Sequence, residues 1–465
     1  MSERYARRAG EVAVVGLGRS GVAACALLRD RGATVYASDA SYNAAAQSGA
    51  ERVRALGADA ESGGHDLARI ARASIVVVSP GVPPEAPPLA AARTAGVPVV
   101  SEVELALDTM PGLQYIAITG TNGKTTVTAL TAHVLRALGI DAEAAGNIGT
   151  PLCEIALREQ RPRWIAVELS SFQLHDTPSV NPSVGVLTNL APDHLDRYAS
   201  VEAYYADKAL LYRNASRASR WVVNADDPAA MEMARGVSGT DFRFSADGRL
   251  CDAFLGGKGK AQLILRDEIL MQRSELRLLG LHNVANALAA ALAVIVTDEA
   301  HESYDDRHRI AAALRSFRPL PHRLEPVGER HGALWINDSK ATNVSSARVS
   351  IESMTRPTVL LLGGRHKGEP YTALAEPISA HCRHVIAFGE AGERIVRDLR
   401  GELGAGVTLD HVTGDFDEVL AHAGAAARPG DAILLAPACS SYDMFSNYEE
   451  RGRRFATAVR AGVDP

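Results

Sequence analysis

The chain has 465 residues, 46% of them apolar and 22% charged, with a formal net charge of -6 at pH 7; that length exceeds one hydrophobic core and predicts about two to four domains. The mildly acidic balance gives no hint of nucleic-acid binding, so an anionic ligand has to be caught by local sites. No stretch reaches the roughly 18 consecutive apolar residues of a membrane span, and Arg4, Arg7 and Arg8 are not followed by the apolar run of a secretion signal, so a cytoplasmic enzyme is expected.

Glu11 to Val15 predicts a strand, followed by Gly16-Leu-Gly18-Arg-Ser-Gly21, an apolar helix from Val22 to Arg31, and a strand from Thr34 to Ala37 ending near Asp39. This is the pattern of a dinucleotide fingerprint, with Asp39 lying 18 residues past Gly21 where a ribose-binding acid belongs. Any nucleoside diphosphate satisfies the same physics. Further strands at Ser74 to Val78 and Val97 to Val100 continue the β/α alternation, and Ser79-Pro80-Gly81-Val82 is either a ligand turn at a strand's C-terminal end or a plain structural turn. No cluster of acid, base and nucleophile accompanies the fingerprint, which favours binding over redox chemistry. The five cysteines, Cys25, Cys153, Cys251, Cys382 and Cys439, are scattered without metal-like spacing and are expected as small core residues.

Tyr115 to Thr119 is an alternating apolar strand that runs into Gly120-Thr121-Asn122-Gly123-Lys124-Thr125-Thr126 and then a helical pattern from Val127 to Leu138. Strand, Gly-rich turn and helix make a cradle for phosphate oxygens, with Lys124 on the outer phosphates and the Thr125 hydroxyl where a magnesium ligand belongs. The usual pattern G-x-x-x-x-G-K-[ST] wants glycine where this chain has Ile118. Asn147 lies in a turn-rich stretch. Trp164 to Val167 is a buried strand ending on Glu168, which is either a magnesium ligand or a surface carboxylate. The strand Val184 to Leu187 leads to Asp193, His194 and Asp196, which suit metal or substrate contact or else helix capping. A helix from Val201 to Arg213 carries Lys208, and a lone helical lysine is expected to be solvated. Asn224-Ala-Asp226-Asp227-Pro228, after the strand Trp221 to Val223, holds a ribose or caps a helix, and residues 240 to 282 are polar and strand-like in places. Asn283 and Asn286 open the helix Ala287 to Val296 three residues apart, either as ligand amides or as caps.

Pro319-Leu-Pro321-His322-Arg323 marks a domain junction that carries an anion donor. A strand from Ala333 to Ile336 precedes Asn337-Asp338-Ser339-Lys340-Ala341-Thr342-Asn343 and a helix from Val344 to Met354. Thr358 to Leu362 ends in the basic glycine loop Gly363-Gly364-Arg365-His366-Lys367-Gly368. Strands at His384 to Ala387 and Asp431 to Leu435 complete a third α/β unit, with Ser440-Ser441-Tyr442-Asp443 after the last of them.

In chain order, Gly120 to Thr126, Glu168-Leu-Ser-Ser-Phe-Gln173, Asp193-His194, Asn337 to Asn343 and Gly363-Gly364-x-x-Lys367 resemble the muramyl (Mur) ligases, the ATP-dependent amide-forming enzymes of peptidoglycan precursor synthesis. The resemblance covers essentially the whole chain and is nearest the branch that adds D-glutamate. It implies an α/β fold of three domains: a Rossmann-like UDP-binding domain at residues 1–108, a P-loop ATP-binding domain with a mostly parallel sheet at 109–319, and a Rossmann-like amino-acid-binding domain at 320–465.

The resemblance also implies substrates and sites. The substrates are ATP, UDP-N-acetylmuramoyl-L-alanine and D-glutamate; the protein is a monomer without nucleic-acid partners, and an acyl phosphate is the intermediate. Arg19, Ser20, Asp39, Ser79, Pro80, Gly81, Asn147 and His194 fall at UDP-substrate positions. The loop Gly120 to Thr126, with Asn283, Asn286, Arg323 and Asp338, falls at ATP positions. Two magnesium ions fall to Thr125, Glu168, His194 and Lys208, the last carrying a carbamate derived from carbon dioxide. Lys340, Thr342, Lys367, Ser441 and Tyr448 fall on the incoming D-glutamate. Lys124, Glu168, His194 and Lys208 form the catalytic group. The His194 to Lys208 spacing is one residue shorter than is usual in the family, and Tyr448 stands where phenylalanine is common. The rival readings are a Mur-type ligase for L-alanine, a diamino acid or a dipeptide, a folylpolyglutamate synthetase, a nucleotide-regulated binding protein, and a nicotinamide-dependent oxidoreductase. The Asp-Asn-Pro-Arg motif of the diamino-acid enzyme is absent.

Overall fold

A computed structural model describes residues 4, 5, 9–194 and 197–461; Asp196 lies outside them. Three sheets succeed one another along the chain. The first has β1 (Glu11–Val15), β2 (Thr34–Asp39), β3 (Asp59–Ser62), β4 (Ile75–Val78) and β5 (Val99–Ser101), all parallel, in the order β3-β2-β1-β4-β5. The order reverses between β1 and β4, and Val15 pairs with Val78, so the turns at Gly16 and Ser79 stand side by side. In open parallel sheets that crevice is where ligands bind.

The second sheet contains β6 (Gln114–Thr119), β7 (Ala142–Gly146), β8 (Trp164–Glu168), β9 (Val184–Leu187), β10 (Arg220–Asn224), β11 (Thr240–Ser245), β12 (Ala253–Gly256), β13 (Gln262–Leu265) and β14 (Glu268–Gln272), in the order β14-β13-β12-β11-β10-β9-β6-β8-β7. It is parallel from β7 to β12, and an antiparallel meander β12-β13-β14 closes one edge. This meander occupies most of the 240 to 282 stretch, whose strands are too short and too exposed on one face to stand out as apolar runs. The third sheet has β15 (Glu325–Arg330), β16 (Ala333–Asn337), β17 (Thr358–Gly363), β18 (Cys382–Phe388), β19 (Thr408–Val412) and β20 (Ala432–Leu435), in the order β15-β16-β20-β17-β18-β19, with only the β15-β16 pair antiparallel.

Helices after the glycine loops begin earlier than apolar periodicity predicts, at Arg19 and at Lys124 instead of Val22 and Val127. In each the N-cap is a glycine, Gly18 or Gly123, that supplies no side-chain hydrogen bond. The polar first turn is helical because its loop, not its hydrophobicity, sets the start. The helix carrying Lys208 ends at Ala209 and continues as a 3-10 turn, Leu210–Tyr212.

The chain divides into two compact units, Met1–Arg273 with Ala285–Leu314, and Ser274–Val284 with Arg315–Pro465. Within the first unit the first two sheets share one apolar core, in which Leu27, Leu28, Val103 and Leu105 cluster with Leu152, Ile155 and Leu174. At this seam Glu102 is fully buried; its Oε1 accepts from the Cys153 backbone N–H at 2.5 Å and its backbone carbonyl accepts from the Cys153 thiol at 3.3 Å. Four cysteines are buried as expected, while Cys251 is half-buried.

Burial raises the Glu102 carboxyl to about 7. Because the folded form holds its proton more tightly than the unfolded chain, the contribution is fully present below about pH 4.5 and is lost as pH rises through 7. Thermal unfolding across this range should therefore show wild type losing up to about 3 kcal/mol relative to Glu102→Gln; parallel pH profiles would refute this.

Candidate active site

Register brings the central site together. Ile118 in β6 pairs with Glu168 at the end of β8 and with Val186 in β9, and Gly146 at the end of β7 also pairs with Glu168. Four strands thus end level, and the loops leaving them share one rim. Ile118 itself is fully buried inside β6, and the chain leaves the strand only at Gly120, whose φ is +139°. The missing glycine of the usual motif is therefore a strand residue, and the turn is made by Gly120 and Gly123. A Cβ on Gly120 would lie 2.0 Å from Thr188 Oγ1, and one on Gly123 2.3 Å from Asn286 Oδ1.

Thr188 and Asn189, directly after β9, hold this loop in shape. The Asn189 carboxamide accepts from Asn122 N at 2.9 Å and donates to Asn122 O at 3.0 Å, while Thr188 Oγ1 donates to Asn122 O at 2.7 Å. The Thr121 N–H bonds to Asn189 O at 2.9 Å. Sequence reasoning singles out neither residue, although a Thr-Asn pair ending an apolar run is the available signal. Thr125 and Thr126 occupy the first turn of the helix Lys124–Ala137.

Lys124 Nζ donates to Gly120 O at 2.9 Å and to Thr121 O at 2.7 Å. Lys208 Nζ reaches the same Gly120 carbonyl at 2.7 Å. Lys208 does not have the solvated placement usual for a lone helical lysine: it is 1% exposed and lies 4.7 Å from the centre of the Tyr204 ring. The helix Val201–Ala209 turns Tyr204 and Lys208, four residues apart, onto one buried face. Burial first, and the charge of Lys124 second, push the Lys208 ammonium well below its ordinary range. Desolvating an ammonium costs several kcal/mol, more than the about 1.5–3 kcal/mol a charge-assisted hydrogen bond returns, and the carboxylates of Asp193, Glu168 and Asp207 pull the other way.

Glu168 is 2% exposed, which removes the surface reading. Its Oε1 accepts from Asn147 Nδ2 at 2.9 Å, while its Oε2 is buried without a hydrogen-bond partner. A buried carboxylate oxygen lacking a donor is a fitting ligand for a cation. His194, at φ +54°, lies 3.7 Å from Asp193 through its Nε2, with its ring 6.0 Å from Tyr204 and 5.5 Å from Phe172. Tyr204 thus contacts both His194 and Lys208. Asp227 caps the helix Pro228–Ala234, and Asp226 accepts from Ser245, Ala246 and Asp247, so this pair is structural.

In the first sheet, Asp39 Oδ2 accepts from Leu17 N at 2.9 Å and its Oδ1 from Ser41 N, bracing the glycine turn. Ser79 Oγ donates to Gly16 O at 3.2 Å, Pro80 and Gly81 continue the neighbouring turn, and Ser20 opens the helix beside Arg19. The Arg19 guanidinium reaches across to Gly149 O at 3.1 Å and Glu154 at 3.6 Å, so it stands beside the turn that carries Asn147.

The second unit has its own rim, where β16, β20 and β17 end level through the pairs Asn337 with Leu435 and Leu361 with Leu435. Asp338 is buried; it accepts from Ser350 Oγ and from Leu324 N at 3.3 Å, and burial raises its carboxyl to about 6 against the pull of Arg323. Asn283, inside the first turn of the helix Leu281–Ile295, donates its side-chain amide to Leu279 O at 2.7 Å. Lys340 Nζ lies 4.1 Å from the centre of the Tyr448 ring, the Thr342 N–H bonds to Lys340 O, Ser441 is buried, and Lys367 is exposed in the loop after β17. Sequence reasoning missed Arg451. Its guanidinium is buried and donates to Ser339 Oγ and Ser339 O, both at 2.9 Å, and to Cys439 O and Ser440 O, so one side chain ties two rim loops.

Residues 10–101 match the MurD-like N-terminal domain of Mur ligases, residues 118–294 the Mur ligase middle domain, and residues 322–439 the Mur ligase glutamate ligase domain. Full-length relatives agree. The UDP-N-acetylmuramoylalanine--D-glutamate ligase of Acidobacterium capsulatum is 39% identical over 455 residues, covering 97% of this chain and 96% of that one. The chain belongs to the Mur ligase family. The like-named ligase of Salinibacter ruber is 39% identical over 461 residues, with 96% of each chain covered. Among solved structures, the UDP-N-acetylmuramate-alanine ligase of Thermotoga maritima superposes with a TM-score of 0.62 at 20% identity, covering 97% of this chain and 100% of that one. A pseudomurein peptide ligase type C from Methanothermus fervidus gives 0.59 at 18%, covering 98% and 100%. These two share the three-sheet α/β Mur ligase fold. The chain is accordingly an ATP-dependent amide ligase.

Gly120→Ala should weaken nucleotide binding by about tenfold or more, since the added carbon must displace Thr188 and the loop it holds. Equilibrium binding of a fluorescent ATP analogue checks this; unchanged affinity would show that the loop tolerates another shape.

Proposed function

We propose that this Mur ligase joins D-glutamate to UDP-N-acetylmuramoyl-L-alanine, forming ADP and phosphate, in the cytoplasmic synthesis of peptidoglycan precursors. The observation that carries the substrate assignment is its 36–39% identity to D-glutamate ligases over nearly the full chain. Residues 1–108 hold the UDP part through Arg19, Ser20, Asp39 and Ser79 to Gly81, with Asn147 and His194 contributing from the second domain. Residues 109–319 hold ATP through Gly120 to Thr126 and Asn286. Residues 320–465 hold D-glutamate through Lys340, Thr342, Lys367, Ser441 and Tyr448, whose cationic and hydroxyl donors suit two carboxylates. No helix among the described residues is long and apolar enough to cross a membrane, and we assign a monomer.

The reaction runs in two halves. The substrate carboxylate attacks the γ-phosphorus of ATP, giving an acyl phosphate and ADP. The neutral amine of D-glutamate then attacks the acyl carbon, its nitrogen releases a proton to solvent, and the tetrahedral intermediate expels phosphate to leave the amide. Phosphoryl transfer needs positioning and charge neutralisation more than a protein nucleophile. Lys124 supplies charge to the outer phosphates, and the loop N–H groups fix them. Thr125 would hold one magnesium ion and Glu168 with His194 a second; bound there, they neutralise charge on the transferring phosphoryl group. The orphaned Glu168 oxygen and the buried Lys208 amine support this arrangement. A neutral amine has the lone pair needed to attack carbon dioxide; the new N–C bond and loss of one proton give a carbamate. That turns a residue disfavoured as a cation into an anion next to Glu168 and His194, suited to metal.

Phosphate release with ATP and UDP-N-acetylmuramoyl-L-alanine should require D-glutamate; release with L-glutamate, L-alanine or a diamino acid instead would overturn the substrate assignment. Lys124→Ala should lower kcat by about a hundredfold or more while UDP-substrate affinity holds, and equal loss of both would refute the division of sites. Lys208→Ala should lose activity and regain part of it with a short carboxylic acid. No rescue by any such acid would argue against the carbamate.

A further inference from the structure

We propose that the last domain carries a second metal site, of the zinc type, built from His384, Asp410 and His422. His384 lies on β18 and Asp410 on the neighbouring strand β19, where His384 pairs with Thr408 and Ile386 with Asp410. Residues two apart share a sheet face, so His384, Ile386 and Asp410 point to the same side. Ile386 packs on that side against Val419, Leu420 and Ala423 of the helix Phe416–Ala426. The same helix presents His422 at its more exposed margin. The fold therefore converges three ligand-type side chains from two strands and a helix, with His384 and Asp410 26 residues apart and Asp410 and His422 12 apart.

The geometry is close. Both imidazole Nε2 atoms address one carboxylate oxygen, Asp410 Oδ2, from 2.8 Å for His384 and 2.9 Å for His422. The ligand atoms all lie within 4.8 Å of one another. The rings meet edge to face with centroids 6.1 Å apart. Two imidazole nitrogens and a carboxylate oxygen are the donor set of zinc sites with three protein ligands and an open fourth position. A tetrahedral ion with bonds of about 2.0–2.1 Å needs its ligands about 3.4 Å apart, so admitting one asks each imidazole–carboxylate contact to open by about half an ångström, with the two imidazole nitrogens, within 4.8 Å of each other, adjusting to match. The His384 side chain is 12% exposed and fixed, while that of His422 is 45% exposed and has room to adjust and to let an ion enter. Each imidazole would present its neutral Nε2 lone pair and keep its proton on Nδ1.

Location separates this trio from the amide-forming chemistry. His384 lies near the start of β18, whereas the Lys340, Lys367 and Ser441 loops extend from the C-terminal ends of β16, β17 and β20. β19 is the free edge of its sheet. A metal here would staple that edge strand to the helix covering it, a structural role that also limits edge-to-edge pairing.

The test uses the full-length protein in excess magnesium, which occupies oxygen-rich sites, titrated with Co2+ as a spectroscopic stand-in and then with Zn2+. Wild type should give one equivalent with the intense visible bands of a tetrahedral or five-coordinate cobalt site, and Zn2+ should displace it and raise the Tm. His422→Ala and Asp410→Asn should each weaken that binding by about tenfold or more and abolish the Tm shift. Absence of the visible bands at stoichiometric cobalt, or equal affinity in both variants, would show that the trio is only an aspartate accepting two imidazole hydrogen bonds.

Discussion

Two lysine side chains meet at one carbonyl. Lys124 and Lys208 both donate to Gly120 O, at 2.9 and 2.7 Å. Lys124 has a second acceptor in Thr121 O and is half-buried, whereas Lys208 is sealed from water. Burial and the neighbouring Lys124 charge push the Lys208 ammonium well below its ordinary range, whereas Lys124 is only half-buried at the start of its helix. Much of the proposed chemistry depends on that asymmetry: a permanent cation for phosphates and a basic amine for carbon dioxide, held within one turn.

That turn exists because strand ends are level. Parallel pairing of β6 with β8 and β9 places Gly120, Glu168 and Thr188 along one rim, and β7 adds Asn147. Side chains separated by dozens of residues then cooperate without any long-range loop having to find its place. Thr188 and Asn189 convert this proximity into rigidity by hydrogen-bonding the backbone of Asn122. The cost of disturbing this latch falls on nucleotide binding, because loop N–H groups must converge before phosphate arrives. A cleft of about 670 Å³ at the opposite ends of β6, β9 and β10, lined by Asp108, Gln114, Ser183 and Arg220, takes no part in this arrangement.

The second unit repeats the device with different anchors. Level ends of β16, β20 and β17 present Asp338, Lys340, Ser441 and Lys367, and Arg451 fastens the loops from within. Its guanidinium serves four oxygens of one wall, a job for which its fork of donors is suited and lysine is not. Burial lowers the Arg451 pKa to about 10, still a cation at neutral pH.

The sequence by itself determined the β/α alternation, the phosphate loop, the fingerprint glycines and the family. These rest on local signals: apolar runs, glycines that permit positive φ, and motifs whose order is specific. It also located the chain's anion-binding turns at strand ends. It left undecided whatever depends on packing. Glu168 could have been a surface carboxylate until β8 was seen buried between β6 and β7, and the burial of Lys208 was open because helical position alone says nothing about what covers a face. Arg451 and the His384–Asp410–His422 trio carry no local pattern, and Thr188 only that of a polar pair ending an apolar run. Their partners are distant in the chain, so only the register of strands and the seating of helices decided which of them meet.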